Sequence, residues 1–248
     1  MLASIPYCGA PPHPGELLTR FNLDPVLFAV LLLLTALHIR INVRRGRGAA
    51  AAITGWAIAA VAFMSPLCAL SVSLFAARIA QHMLLLLLAA PLIASTLPAS
   101  APRRADAALL GSAALFCVAL WFWHMPGPYD ATFGSTLVYW AMHCTLFGSG
   151  ILLWRELLHH RADKTAHALA LGLFTSVHMG LLGAVLALAS RPLFFPHYLT
   201  TAAWGLTPLQ DQQLGGAIMW VPGMILFLFV AVRSLRRLWS TLEGFEAT

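Results

Sequence analysis

Residues 73–98 read SLFAARIAQHMLLLLLAAPLIASTLP. The stretch is long and apolar enough to cross a bilayer as one helix. Arg78, Gln81 and His82 nevertheless lie inside it. Ionisable groups at membrane depth are costly and almost always face a protein interior or a polar cavity. Arg78 and His82 are four residues apart, so a helix puts them on one face with Gln81 beside them. The stretch is expected to be the central helix of a bundle, with the other apolar segments arranged around its polar face.

Composition agrees. Of 248 residues, 60% are hydrophobic and 10% charged, against roughly 25% charged in a soluble domain. An all-α, polytopic membrane protein is expected, with no sizeable soluble domain. The net charge of +6 does not indicate a nucleic-acid partner, because the basic residues lie in short loops between apolar runs. About seven transmembrane helices are expected, over residues 25–39, 49–67, 73–98, 107–125, 135–154, 166–189 and 213–232. This gives an outer segment 1–24, a transmembrane domain 25–232 and a cytoplasmic tail 233–248.

The basic residues give the orientation. Arg40, Arg44, Arg45 and Arg47 follow the first span; Arg103 and Arg104 follow the third. Arg155, Arg161 and Lys164 follow the fifth; Arg233, Arg236 and Arg237 follow the seventh. The opposite side keeps only Arg20 and Arg191. Positive loops stay inside, so the N-terminus is expected outside and the C-terminus in the cytoplasm. The first residues lack a basic start followed by an apolar core, so the first span is expected to act as an uncleaved insertion signal. The outer connections include MPGPYD (residues 125–130) and RPLFFPHYLTTAAWGLTPLQD (191–211), rich in Pro, Gly and interfacial aromatics. The second is long enough to fold over the outer face as a cap. QHMLLLLL in the third span and VHMGLLGA in the sixth suggest an inverted repeat.

Four positions pair histidine with methionine: His82–Met83, His124–Met125, Met142–His143 and His178–Met179. By helical rise, His82 lies roughly 15 Å below the outer surface, His143 about 12 Å and His178 about 17 Å. His124 stands near the outer mouth. The seventh span adds Asp211, Gln212 and Gln213 at its outer end, with Met219 about 10 Å deep. Gly215 and Gly216 allow close helix approach. A single membrane histidine is usually an interhelical hydrogen-bonding residue, but several neutral imidazoles buried in one layer gain little without a ligand. Imidazole with thioether suits copper, Cu(I) above all. The expected ligands are His82, His143 and His178, with His124 at the mouth and Met219 supplying sulfur. Met83, Met142, Met179 and Cys68 are further sulfur candidates. Arg78 and Gln81 would line the site, and Asp211 and Gln212 would form a polar gate. A b-haem held by two facing histidines and a cofactor-free scaffold are the alternatives.

His13, His38, His159, His160, His167 and His197 read as surface residues. Cys8 and Cys68 both fall outside, where a disulfide can form; Cys144 points away from its neighbour His143 and reads as packing. Arg78 needs an anionic partner or carbonyls, with Asp130 and Asp211 as the candidate acids. No nucleophile–base pair or carboxylate dyad is apparent, so no enzyme is expected.

Several pieces resemble a known family. They are MSPLCAL (64–70), LFAARIAQHMLLLLLAAPLIA (74–94), WHMPGPYD (123–130) and LVYWAMHCTLFGSGILLW (137–154). They continue in SVHMGLLGAVLALASRPLFFPHY (176–198) and PLQDQQLGGAIMWVPG (208–223). The chain resembles the polytopic CtaG family of cytochrome c oxidase assembly factors. The resemblance implies a seven-helix bundle in a bacterial inner membrane, acting in maturation of a haem–copper oxidase by copper delivery. Its implied partners are an oxidase subunit and a copper donor protein. The family commonly has an acidic residue where Cys68 stands and a His–Met pair where Arg78–Ile79 stand.

Overall fold

The computed structural model describes residues 5–44, 48–101, 105–160 and 162–246. It is helical, with no strand among the described residues. The basic loop residues Arg45, Arg47, Arg103, Arg104 and Arg161 lie outside them. Helix α1 (Pro25–Arg44) starts where Asp24 accepts the amides of Val26 (2.8 Å) and Leu27 (3.4 Å), satisfying donors that a helix start leaves open. Helices α2 (Ala49–Met64) and α3 (Pro66–Ser73) are bent by 49°. Ser65 caps α3 through the Leu67 amide, and Pro66 takes the first helical position, where its missing N–H costs nothing.

The stretch expected to be central forms α4 (Phe75–Met83), a π-helical turn (Leu84–Ala89) and α5 (Ala90–Ser95). Together they make one apolar helix, Phe75–Ser95, with 72% of its window buried against 44% or less in the other three long apolar helices. Pro91 has no amide to close onto the preceding turn, and the ladder widens just before it. Helices α6 (Ala105–Trp123), α7 (Pro126–Gly134), α8 (Thr136–His159), α9 (Thr165–Ala187) and α10 (Pro208–Glu246) follow. Residues 125–130, expected to be loop, enter α7 at Pro126, again a proline at a helix start.

By length and composition, four described helices can cross a membrane, five if the bent α2–α3 pair is one span; the apolar part of α1, Pro25–Ile41, is shorter. Helices α8 and α10 pack on the central helix, α6 packs on α8, and α9 on α10 and α6. One continuous core joins α4 to α10. A second, under α1 and α2, reaches the central helix through Leu85 and Ala89. At the α9–α10 seam a Cβ on Gly216 would stand 2.4 Å from the Ala187 nitrogen and 2.6 Å from the Gly183 oxygen. Only glycine permits that approach.

Candidate functional site: a buried histidine cluster

His82 on α4, His124 just past α6 and His143 on α8 meet inside the bundle, at 1%, 4% and 1% exposure. The His82 ring centroid lies 5.6 Å from that of His124 and 5.2 Å from that of His143. His124 Nδ1 is 2.6 Å from the Leu120 carbonyl oxygen, and His143 Nδ1 is 3.0 Å from that of Tyr139. A carbonyl only accepts, so each Nδ1 carries the proton and donates. In the neutral ring each Nε2 is then a lone pair. Both Nε2 atoms are buried without a partner, as are both nitrogens of His82.

Unpartnered buried polar atoms are rare and costly. Here four imidazole nitrogens share one small volume. Two imidazoles on one ion, with metal–nitrogen bonds of about 2 Å, hold their ring centres about 5 Å apart, close to both ring spacings. Yet among the described residues no three His, Cys, Asp or Glu side chains stand ready-arranged as an ion site. The donor chemistry and the two ring spacings suit a shared ion, but the three side chains as they stand do not form a site for one. Neither nitrogen of His82 has a hydrogen-bond partner among the described residues.

The other expected site residues are placed differently. His178 is half-buried on α9, its Nδ1 bonded to the Phe174 carbonyl and its ring against Phe174. It makes no ring contact with the clustered histidines among the described residues. Met83, Met142, Met179 and Met219 are all buried in the main core. Met179 packs on Gly223, whose missing Cβ makes its room. Cys68 is disulfide-bonded to Cys8, with Cα atoms 5.4 Å apart, so in this state it offers no thiolate.

Arg78 is 1% exposed, and among the described residues no carboxylate pairs with it. Its Nε donates to the Ser71 carbonyl (3.3 Å) and its Nη1 to the Thr132 hydroxyl (3.1 Å). The guanidinium lies 4.5 Å from the Phe133 ring centre, 5.5 Å from Tyr129 and 5.6 Å from Tyr139, within reach of cation–π attraction. The expected acid partners are used otherwise. Asp211 accepts the Phe75 and Ala76 amides at 2.6 and 3.0 Å, capping α4 from the far end of the chain. Asp130 has a buried oxygen without a partner.

Gln212 and Gln213 also form fastenings. Gln212 accepts the Leu193 amide (2.7 Å) and donates to the Leu186 carbonyl (3.3 Å), while Gln213 donates to Ala189 (3.2 Å). Asp211 therefore fastens α10 to the start of α4, and Gln212 fastens the segment around Leu193 to α10. Gln81 donates to the Ala62 carbonyl (2.7 Å) and leaves its own oxygen unpartnered.

Beside the cluster, the N-terminal segment and the 191–207 segment pack on the helix ends. Tyr139 lies 4.3 Å from the His143 ring and 4.9 Å from Tyr7. Its hydroxyl donates to the disulfide sulfur of Cys8 at 3.4 Å, since a disulfide has no S–H. In the cap, Thr200 donates to the Ser73 carbonyl (2.6 Å), and Phe194 stacks on Phe75 at 4.3 Å. His197, expected at the surface, is 2% exposed, with its Nε2 2.7 Å from the Tyr129 hydroxyl. Burial, with the Arg78 charge behind it, pushes its imidazole down to about 3. His38 is buried too, between the Trp56 indole (3.0 Å) and the Thr96 hydroxyl (3.0 Å). Sequence depth misled for both, because loop and helix-end residues are covered by other elements. Tyr139 itself had a signal: it precedes His143 by four residues, on the same helical face.

A separate groove of 610 Å³ runs along α9 and α10, between residues such as Leu173, Val177, Trp220 and Met224. Its walls are apolar and include none of the clustered histidines.

The fold and the cluster define a class: an all-helical, multi-pass membrane protein built round a polar central helix. The family model for the cytochrome c oxidase caa3 assembly factor (Caa3_CtaG) matches residues 27–241, and the chain belongs to that family. No curated protein and no solved structure matches the chain.

Proposed function

We propose that this oxidase assembly factor acts by holding copper, as Cu(I), between His82, His124 and His143 and passing it to the oxidase. The observation that carries the reading is the set of buried imidazole nitrogens without partners. Burying them unligated is unfavourable, and a metal ion turns each lone pair into a bond. A thioether from Met83, Met142 or Met219 completes a soft set suited to Cu(I). His178 stays outside this set. The N-terminus and the cap face outward, the basic loops face the cytoplasm of a bacterial inner membrane, and α1 and α10 complete seven spans. An oxidase subunit receives the copper and a copper donor protein supplies it. The protein's own residues bind, orient and shield; no bond-breaking step is assigned to them.

The test is genetic. Deleting the gene should lower haem–copper oxidase activity and the copper content of the purified oxidase, with subunit transcripts intact. Complementation with His82→Ala should behave like the deletion, and His159→Ala like the wild type. Full oxidase activity in the deletion strain contradicts the assembly role. Full activity with His82→Ala contradicts the copper site alone.

A further inference from the structure

We infer that the Cys8–Cys68 disulfide is a thiol–disulfide exchange site: a partner dithiol attacks Cys8, Cys68 leaves, and the dithiol is oxidised. The inference does not depend on whether the histidine cluster holds a metal.

The two sulfurs are placed unequally. Cys8 is half-buried in a tight turn, Pro6 to Gly9, closed by the Gly9 amide on the Pro6 carbonyl at 2.8 Å. Gly9 takes φ +89°, a conformation open to glycine. Ile5 and Ala10, on either side of the turn, are exposed. Cys68 is fully buried in the first turn of α3, its amide on the Ser65 carbonyl at 3.0 Å. An incoming thiolate therefore reaches Cys8 and not Cys68.

The buried sulfur, which has to leave, is the one surrounded by donors. Asn22 Nδ2 donates to the Phe63 carbonyl (3.2 Å) and faces the Cys68 sulfur at 3.8 Å. The Tyr139 hydroxyl lies 3.4 Å from Cys8 Sγ and 3.9 Å from Cys68 Sγ, so it can turn from one to the other as charge develops. The first turn of a helix also favours negative charge. A better-stabilised leaving thiolate departs faster. A disulfide that only staples the chain needs neither an accessible sulfur nor donors on the buried one.

The reaction balances without a further reactant. One thiolate of the dithiol bonds to Cys8 Sγ, the Cys8–Cys68 bond breaks, and its electron pair leaves on Cys68 Sγ. The second thiol of the dithiol gives up its proton and attacks the dithiol sulfur held by Cys8, and Cys8 leaves as a thiolate. The dithiol becomes a disulfide, and its two protons pass to Cys8 and Cys68. The turn is also held by Tyr7, which donates to Asp24 (2.6 Å), and by Ser73, which donates to the Pro12 carbonyl (3.1 Å). These contacts involve no sulfur, so the two cysteines stay close after reduction and the bond can form again.

The experiment uses the full chain purified in detergent, with the exposed thiol of Cys144 first blocked by N-ethylmaleimide. After brief exposure to glutathione and a quench with iodoacetamide in sodium dodecyl sulfate, peptide mass spectrometry should find glutathione on Cys8 and the alkyl group on Cys68. Dithiothreitol should reduce the pair within minutes with the helical circular dichroism retained. Tyr139→Phe and Asn22→Ala should each slow that reduction roughly fivefold, the worth of one hydrogen bond. Glutathione on Cys68, or on both cysteines equally, overturns the inference, and this arm needs no variant. A native pair that resists dithiothreitol until the chain is unfolded overturns it as well, and so do native rates in both variants.

Discussion

Tyr139 links three features at one end of the bundle. Its carbonyl fixes the His143 tautomer, its ring faces Arg78, and its hydroxyl meets the Cys8–Cys68 disulfide. The disulfide ties the N-terminal segment beside the cluster across 60 residues of chain. Closing a loop of that length stabilises by about 4 kcal/mol in the chain-entropy description. Cys8→Ala should lower the thermal midpoint of the detergent-purified protein, and reductant should do the same to the native chain. An unchanged midpoint in both would show that the segment is held without the bond. His197 gives a pH dependence. Its imidazole, ordinarily near 6.5, is held down to about 3 in the fold, so the unfolded chain binds the extra proton. Its contribution is complete above about pH 6.5 and declines as pH falls towards 3. By pH 5 the loss should be about 2 kcal/mol, and His197→Gln should flatten this part of the stability–pH curve.

Among the elements, the broken third span carries the design. Leu74 is extended between α3 and α4, which leaves the α4 amides open. Asp211 fills that place from α10. Asp211→Ala should cost about 2 kcal/mol, read as a lower midpoint and freer proteolysis of residues 191–207. At the α9–α10 seam, Gly216→Val puts a side chain into the backbone of Ala187 and Gly183 and should cost about 3 kcal/mol. Gly148→Ala is the control: a Cβ there meets nothing within 4 Å, and the midpoint should hold or rise slightly. Much of this layer was legible in the sequence. Residues 25–39, 49–67, 73–98, 107–125, 135–154, 166–189 and 213–232 each overlap an observed helix, the second of them two helices, because apolar runs bounded by Pro, Gly and charge are a strong signal. The bend at Ser65 and the π turn before Pro91 were missed, since both are local consequences of prolines inside apolar runs. The hydrogen bonds of Asp211 and Gln212 were not foreseen. Their neighbours are 136 and 19 residues away, and no local pattern announces partners at those distances.

For the molecule as a whole, the central place of residues 73–98 was readable because polar residues in an apolar helix need an interior. Which histidines share that interior was readable only in part. His82 and His143 do meet, but rise along a helix does not say which face a side chain takes, and His178 packs on Phe174 instead. Orientation rests on the basic loops. Reporter fusions after Lys164 and Arg237 should report cytoplasm and a fusion after Thr201 the outside; a cytoplasmic Thr201 would turn the cap inward and contradict an outward-facing site. The central claim is that the clustered imidazoles hold copper, and X-ray absorption on the purified chain loaded with Cu(I) tests it most directly. The account predicts about one copper per chain with imidazole nitrogen and sulfur in its shell, binding lost in His82→Ala and His143→Ala and retained in His178→Ala. Native protein without imidazole-bound copper, or equal binding in all three variants, would contradict it.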